Sequence, residues 1–93
     1  ARAAIGCYEA LAQRGMHVPQ DVSVIGFDNE DLVANLDPPL STVVLPHDEM
    51  ARWAVNRLLS RAAQNGTAQP PERTKIECAL LLRGSVSAPR AAI

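Results

Sequence analysis

The chain has 93 residues, of which 47% are hydrophobic and 20% charged, so it can form one modest globular domain at most. Nine basic and ten acidic side chains give a net charge of -1, which lacks the positive excess that drives binding to DNA or to an anionic membrane. Cys7 and Cys78 lie far apart, so no disulfide framework or zinc site is expected, and both are predicted to be free, buried thiols in a reducing, cytoplasmic compartment. No apolar run reaches the roughly 18–20 residues that cross a bilayer, and no signal-peptide pattern opens the chain.

The first predicted element is a helix over residues 1–15. Ile5, Tyr8 and Leu11 lie at helical spacing, and Gly15 follows where a helix usually ends. No capping residue stands before the first turn, so we expect the chain to be part of a longer one.

After a loop that contains Pro19, residues 22–27, VSVIGF, predict a strand. Its apolar run without alternation is typical of a parallel sheet that is covered on both faces. The strand ends on Phe27 and Asp28, and ligands of open α/β sheets bind outside the carboxyl ends of the strands. Asp28 is therefore either a hydrogen-bond acceptor at the edge of a ligand pocket or a cap for the short acidic segment that follows.

The rest of the chain predicts two more strands, a long helix and a tail. The strands are residues 42–45 and 75–82, the helix lies between Pro46 and Gly66, and the tail is 83–93. The order of elements predicts an α/β fold, a parallel-sheet three-layer αβα arrangement, in which neighbouring strands must come from elsewhere if both faces are to be covered. Apolar strand surface is expected to stay exposed in these 93 residues alone.

None of the common catalytic signatures is present, so no catalytic residue, cofactor or metal site is expected. His17 and His47 are predicted to lie at the surface or at a helix start. Ser41 and Thr42 are predicted to satisfy backbone groups where the chain enters a strand. The arginines of the long helix predict a solvated face, whereas Trp53 is either at the edge of a core or in contact with residues outside this chain.

Three blocks of the sequence carry a family resemblance: GCYEALAQRGMHVPQDVSVIGFDN, PPLSTVVLPHDEMARWAVNRLL and LLLRGSV. In this order and spacing they resemble the C-terminal end of the lactose-repressor (LacI/GalR) family of bacterial transcriptional regulators. The resemblance implies a periplasmic-binding-protein-like (type I) fold, of which the chain is the C-terminal subdomain portion. It also implies an N-terminal helix-turn-helix headpiece and an N-terminal lobe outside residues 1–93, so that operator DNA is contacted only through that headpiece. The sequence departs from the family pattern at Leu45, where a glutamine often stands.

The resemblance also implies two surfaces. Asp28, with Phe27 beside it, is expected to form one wall of a site for a small-molecule effector, a sugar or a nucleoside-like compound. Residues 3–12 and the segment Leu32–Leu36 are expected to contribute to a homodimer interface, and the residues that we predict to carry it are Ile5, Tyr8, Leu32 and Leu36. Ile5 and Tyr8 have an alternative, which is to face the sheet of their own chain. For the whole protein the alternative is a periplasmic sugar-binding protein of an ABC transporter with the same fold.

Overall fold

The computed structural model describes residues 2–28, 31–64 and 70–90. Within these ranges the chain forms helices and strands in alternation, which confirms the predicted α/β class. In chain order they are α1 (Arg2–Gln13), β1 (Ile25–Phe27), α2 (Asp31–Ala34), β2 (Ser41–Val44), α3 (His47–Ala62) and β3 (Ala79–Leu81). The chain divides into two compact units, one of Ala1–Leu45 with Cys78–Ile93 and the other of Pro46–Glu77.

The strands of the first unit form one sheet in the order β1-β2-β3. β1 and β2 are parallel, with Gly26 opposite Thr42, whereas β3 runs antiparallel to β2, with Leu81 opposite Thr42. The sheet is therefore mixed, and the parallel arrangement that the sequence predicts holds for β1 and β2. An apolar strand of three residues contains no pattern that specifies its direction, so this part of the topology depends on where the chain re-enters the sheet.

β1 and β3 are shorter than predicted, whereas β2 has the predicted length and begins one residue earlier. Tertiary hydrogen bonds explain the start of β1. Val24 was expected to lie inside the first strand, but its N–H donates to the carbonyl of Ser85 at 3.0 Å and its carbonyl accepts from the Ser85 hydroxyl at 2.6 Å. Val24 therefore pairs with the segment that follows β3. The apolar residues of β1 remain exposed as expected for these residues alone, Ile25 by 53% and Phe27 by 57%.

A small apolar core joins the helices of the first unit to its sheet. Ala4 of α1, Val33 of α2 and Leu40 just before β2 are buried, and Leu40 and Val33 have no exposed surface. α1 ends as predicted: Gly15 adopts φ +69°, and the N–H groups of Gly15 and Met16 donate back to carbonyls of the last helical turn. These are the bonds of a Schellman cap, which requires a residue in the left-handed region. The cap directs the chain from α1 toward β1.

The prediction that residues 83–93 form a tail is wrong for the described residues 83–90. Ser85 is completely buried, Ser87 exchanges hydrogen bonds with Ser23, and Arg90 pairs with Asp21. A run of small polar residues and a proline is typical of a tail, yet here the serines satisfy backbone groups of the first unit. The segment fastens the amino ends of β1 and β2.

The second unit contains α3, which spans His47–Ala62 inside the predicted bounds. Its acidic residues lie in the first turn and Arg61 in the last, as the helix dipole favours. The arginines of the helix remain partly solvated, and two of them also have partners: Arg57, whose side chain is 42% exposed, pairs with Glu72 at 2.5 Å, and Arg61 donates to the carbonyl of Pro70 at 2.7 Å. Within this unit the segment after the helix therefore lies against its arginines, while the apolar residues of the helix stay exposed, namely Met50, Val55, Leu58 and Leu59.

Candidate functional site

Asp28 lies at the carboxyl end of β1, directly after the last strand residue, Phe27. Asp28 is half-buried, whereas more than half of the Phe27 surface is exposed. The two residues that the sequence analysis assigned to a ligand site therefore lie next to each other in the chain at the carboxyl end of β1. A carboxylate can accept hydrogen bonds from a ligand, and an exposed aromatic ring can contact its apolar face.

The backbone of Asp28 is left-handed, with φ +79°, and Asp28 has the only positive φ among the described residues other than glycine. Its N–H donates to the carbonyl of Val43 in β2 at 2.8 Å, and its carbonyl accepts a hydrogen bond from the Thr42 hydroxyl. Residues other than glycine rarely adopt this conformation, and they keep it where the surrounding structure holds them in place. Hydrogen bonds to β2 therefore fix the main chain that carries the Asp28 carboxylate.

The alternative role of Asp28, as a cap for the following helix, remains beside the ligand role. α2 is described from Asp31 onward, and residues 29 and 30 lie outside the described ranges. The left-handed backbone of Asp28 differs from the extended conformation that is typical of an N-cap.

Buried hydroxyls lie at the amino end of β2 and in the segment that follows β3. Ser41, Thr42 and Ser85 have no exposed surface. The Ser85 oxygen accepts from the Ser41 N–H at 2.7 Å, and the Ser41 oxygen accepts from the Arg83 N–H at 2.8 Å. The Arg83 guanidinium adds a hydrogen bond to the carbonyl of Leu40 at 2.7 Å. The prediction that Ser41 and Thr42 satisfy backbone groups is confirmed, whereas the contribution of Ser85 was missed because nothing in its local sequence distinguishes it from a tail serine.

Two cavities of the first unit lie along α1. One of about 250 Å³ lies between α1 and β1 and reaches Phe27, and another of about 460 Å³ lies at the end of α1, where it is lined by Tyr8, Met16, His17 and Asp37 among others. No group of His, Cys, Asp and Glu in the described ranges is arranged to hold a metal ion, and the described His17 is exposed, as predicted. Cys7 and Cys78 are exposed as well, so the prediction that they are buried is wrong.

The four residues predicted for a homodimer interface lie on neighbouring parts of the first unit, because α1 packs against α2. Tyr8 and Leu36 pack partly against the core of their own chain, and the Tyr8 hydroxyl donates to the carbonyl of Pro38 at 2.8 Å. Burial raises the pKa of the Tyr8 phenol above its ordinary value. Ile5 is half-buried, and Leu32 is 53% exposed. The alternative that Tyr8 faces its own fold is therefore realised in part, while Leu32 is the residue available to another molecule.

Trp53, which the sequence analysis left open, is half-buried within the second unit. It lines a cavity with Glu49 on the same helix and with residues 74–77. Within this unit, Trp53 therefore faces the segment that returns past α3.

Comparison with known proteins identifies the family to which the fold belongs. Residues 1–86 match the family model described as a periplasmic binding protein-like domain. The ribose operon repressor of Escherichia coli (strain K12) is 39% identical over 82 residues, which cover 88% of this chain and 24% of the repressor. The chain therefore spans about a quarter of the length of the curated relatives that it matches. These relatives are transcriptional repressors rather than enzymes.

Solved structures agree with this comparison. A LacI family transcriptional regulator from Arthrobacter sp. FB24 in complex with lactose is 36% identical, with a TM-score of 0.70 over 88% of this chain and 30% of that one. The lac repressor dimer bound to operator and the anti-inducer ONPF is 25% identical, with a TM-score of 0.76 over 91% of this chain and 29% of that one.

Fold and sequence together define a portion of a periplasmic-binding-protein-like domain, the effector-binding domain of ligand-responsive regulators. The chain belongs to the LacI family of transcriptional regulators. No helix in the described ranges has the length and apolar character needed to span a membrane.

Proposed function

We propose that the chain forms one wall of a sugar-effector site, and part of a homodimer surface, in a longer LacI-family regulator. Asp28 accepts hydrogen bonds from the sugar, and Phe27 contacts its apolar face. The observation that carries the proposal is the position of Asp28 at the carboxyl end of a parallel strand, in a main-chain conformation held by two hydrogen bonds to β2.

The chemistry of the two side chains suits a sugar. An ionised carboxylate is an acceptor only, and its two oxygens match a ligand whose surface presents hydroxyl donors. Hydrogen bonds to a charged acceptor are roughly twice as strong as neutral ones. The exposed ring of Phe27 offers an apolar surface beside these acceptors. A nucleoside-like effector would also present sugar hydroxyls, but the names of the relatives, a ribose operon repressor and a regulator in complex with lactose, favour a free sugar.

Regulation then follows from a difference in binding energy. A sugar that binds one arrangement of the intact regulator more tightly than another shifts the population toward it, and a coupling of about 1–3 kcal/mol changes the affinity at a second site by roughly 5- to 150-fold. The net charge of -1 on these residues supplies no electrostatic attraction for DNA. Operator contact therefore belongs to a headpiece outside this chain.

An exported sugar-binding protein would share this fold and this site. Identity of 39% with a repressor over 88% of the chain favours the regulator.

The test is isothermal titration calorimetry of the intact regulator with D-ribose and with lactose. Asp28→Asn keeps the side-chain shape and tolerates the left-handed backbone, but it removes the charge and one acceptor. We expect the affinity for the sugar that binds the wild type to fall by roughly 5- to 150-fold, which corresponds to about 1–3 kcal/mol for an unsatisfied group in a closed site.

Asp48→Asn is the matched control, because it makes the same chemical change on an exposed residue in the first turn of α3. Its sugar affinity should equal that of the wild type. Unchanged affinity in a folded Asp28→Asn protein, or a wild type that binds neither sugar, would contradict the proposal.

A further inference from the structure

Both peptide groups that flank Asp28 are tied to β2. The N–H of Asp28 belongs to the peptide group before its Cα and donates to the carbonyl of Val43 at 2.8 Å. The carbonyl belongs to the peptide group after its Cα and accepts from the Thr42 hydroxyl. Peptide groups are planar, so holding both of them fixes φ and ψ, and with them the direction of the Cα–Cβ bond. The two bonds together therefore aim the carboxylate.

Thr42 is placed to make this bond specifically. It lies in the central strand, paired with Gly26 on one side and Leu81 on the other, and it has no exposed surface. Its hydroxyl is also 3.4 Å from the carbonyl of Val43, a distance beyond the usual range for an O–H donor. The β-branched side chain has few rotamers available, so its hydroxyl stays directed at the carbonyl of Asp28.

The carbonyl of Asp28 needs such a donor because the chain turns there. β1 ends at Phe27, and the left-handed conformation of Asp28 takes the main chain out of the regular ladder between β1 and β2. A side-chain donor from the central strand provides the hydrogen bond at this point. The same bond opposes relaxation of Asp28 toward the extended or right-handed conformations that a residue other than glycine prefers.

We infer that Thr42 is a positioning residue for the sugar site: it acts through the main chain of Asp28 and sets the direction of the carboxylate. This inference rests on the proposed function of Asp28. It assigns to the Thr42 hydroxyl a contribution to sugar affinity that is separate from its contribution to folding.

Two variants of the intact regulator test it by titration calorimetry with whichever of D-ribose and lactose the wild type binds. Thr42→Val keeps the branched shape and removes the hydroxyl, so affinity should fall by about tenfold, the effect of about 1.4 kcal/mol. Thr42→Ser keeps the hydroxyl and should restore affinity to within about twofold of the wild type, a difference smaller than one net hydrogen bond. In an Asp28→Asn background, Thr42→Val should cause less loss than it causes alone, because the two residues act as one unit.

Ser85→Ala is the matched control for burial and folding. Ser85 is also completely buried and also donates a hydroxyl to a β1-side carbonyl, that of Val24 at 2.6 Å, but at the opposite end of the strand from Asp28. Ser85→Ala should lower the unfolding midpoint of the regulator and leave the sugar affinity unchanged. A purely structural role for Thr42 would give the same pattern in Thr42→Val, which would overturn the inference.

A crystal structure of the Thr42→Val regulator tests this inference independently of the proposed function. A changed φ at Asp28 supports positioning by Thr42, even if the wild type binds neither sugar and the sugar proposal fails. A φ that stays at the wild-type value overturns the inference, even if Asp28→Asn abolishes sugar binding.

Discussion

Replacing Asp28 by glycine should give a more stable protein than replacing it by alanine, which is the reverse of the usual order. Both substitutions remove the carboxylate and its contacts, so the difference between the two variants reports the main chain alone. At most positions alanine is the more stable of the two, because glycine loses more conformational freedom on folding. At Asp28, where φ is +79°, we expect Asp28→Gly to be more stable than Asp28→Ala.

The magnitude follows from two opposing contributions. A left-handed conformation costs an alanine about 1–2 kcal/mol and costs a glycine little. Glycine also has more conformational entropy in the unfolded state, which lowers the stability of Asp28→Gly relative to Asp28→Ala by about 0.5–1 kcal/mol. The hydrogen bonds to Val43 and Thr42 involve only main-chain atoms of Asp28 and are common to both variants. The midpoints of these two ranges leave a difference of about 0.75 kcal/mol in favour of Asp28→Gly.

Urea unfolding of the intact regulator measures this difference as a shift in midpoint at constant m value. Ala10→Gly is the control at an exposed position within α1 and should cost about 1 kcal/mol in the opposite direction. Equal stability of Asp28→Gly and Asp28→Ala, or a more stable Asp28→Ala, would refute the argument that this main chain is held in an unfavourable conformation. Sugar affinity should be lost in both variants, so that the more stable of them is also inactive.

Three further predictions follow from other contacts of the first unit. A Cβ at Gly26 would lie 2.5 Å from Cδ2 of the fully buried Leu40, so Gly26→Ala should destabilise the regulator by about 1–3 kcal/mol in urea unfolding, and no change would mean that this core can repack. Leu32 is 53% exposed, so Leu32→Asp should leave the circular dichroism spectrum unchanged and shift the protein to monomers in sedimentation velocity; persistent dimers would remove Leu32 from the interface. Burial raises the pKa of the Tyr8 phenol, so its neutral form contributes stability that is present below its unfolded-state pKa of about 10 and is lost as the pH rises through the folded-state pKa. Tyr8→Phe should remove that part of the alkaline pH dependence, and identical alkaline profiles for both proteins would contradict it.

The sequence by itself was sufficient for the order of elements and for the location of the candidate site. Helical spacing and Gly15 located the end of α1, and the apolar run before Asp28 located the carboxyl end of β1. These features are local: a helix stop, a strand end and the residue that follows it depend on neighbours within a few positions of the chain. The resemblance of three sequence blocks to the LacI family was equally accessible, because it depends on residue order alone.

Only the tertiary structure decided what holds Asp28 in place and which residues are available on the surface. The left-handed conformation of Asp28 depends on Thr42 and Val43, which are 14 and 15 positions further along the chain, and the burial of Ser85 depends on Val24, 61 positions away. Likewise Tyr8 and Leu32 look alike as apolar members of short helical segments, but the packing of α1 and α2 half-buries Tyr8 and leaves Leu32 exposed. Contacts between such distant residues form because the folded chain brings strands and loops together, and no local sequence pattern encodes which hydroxyl meets which carbonyl.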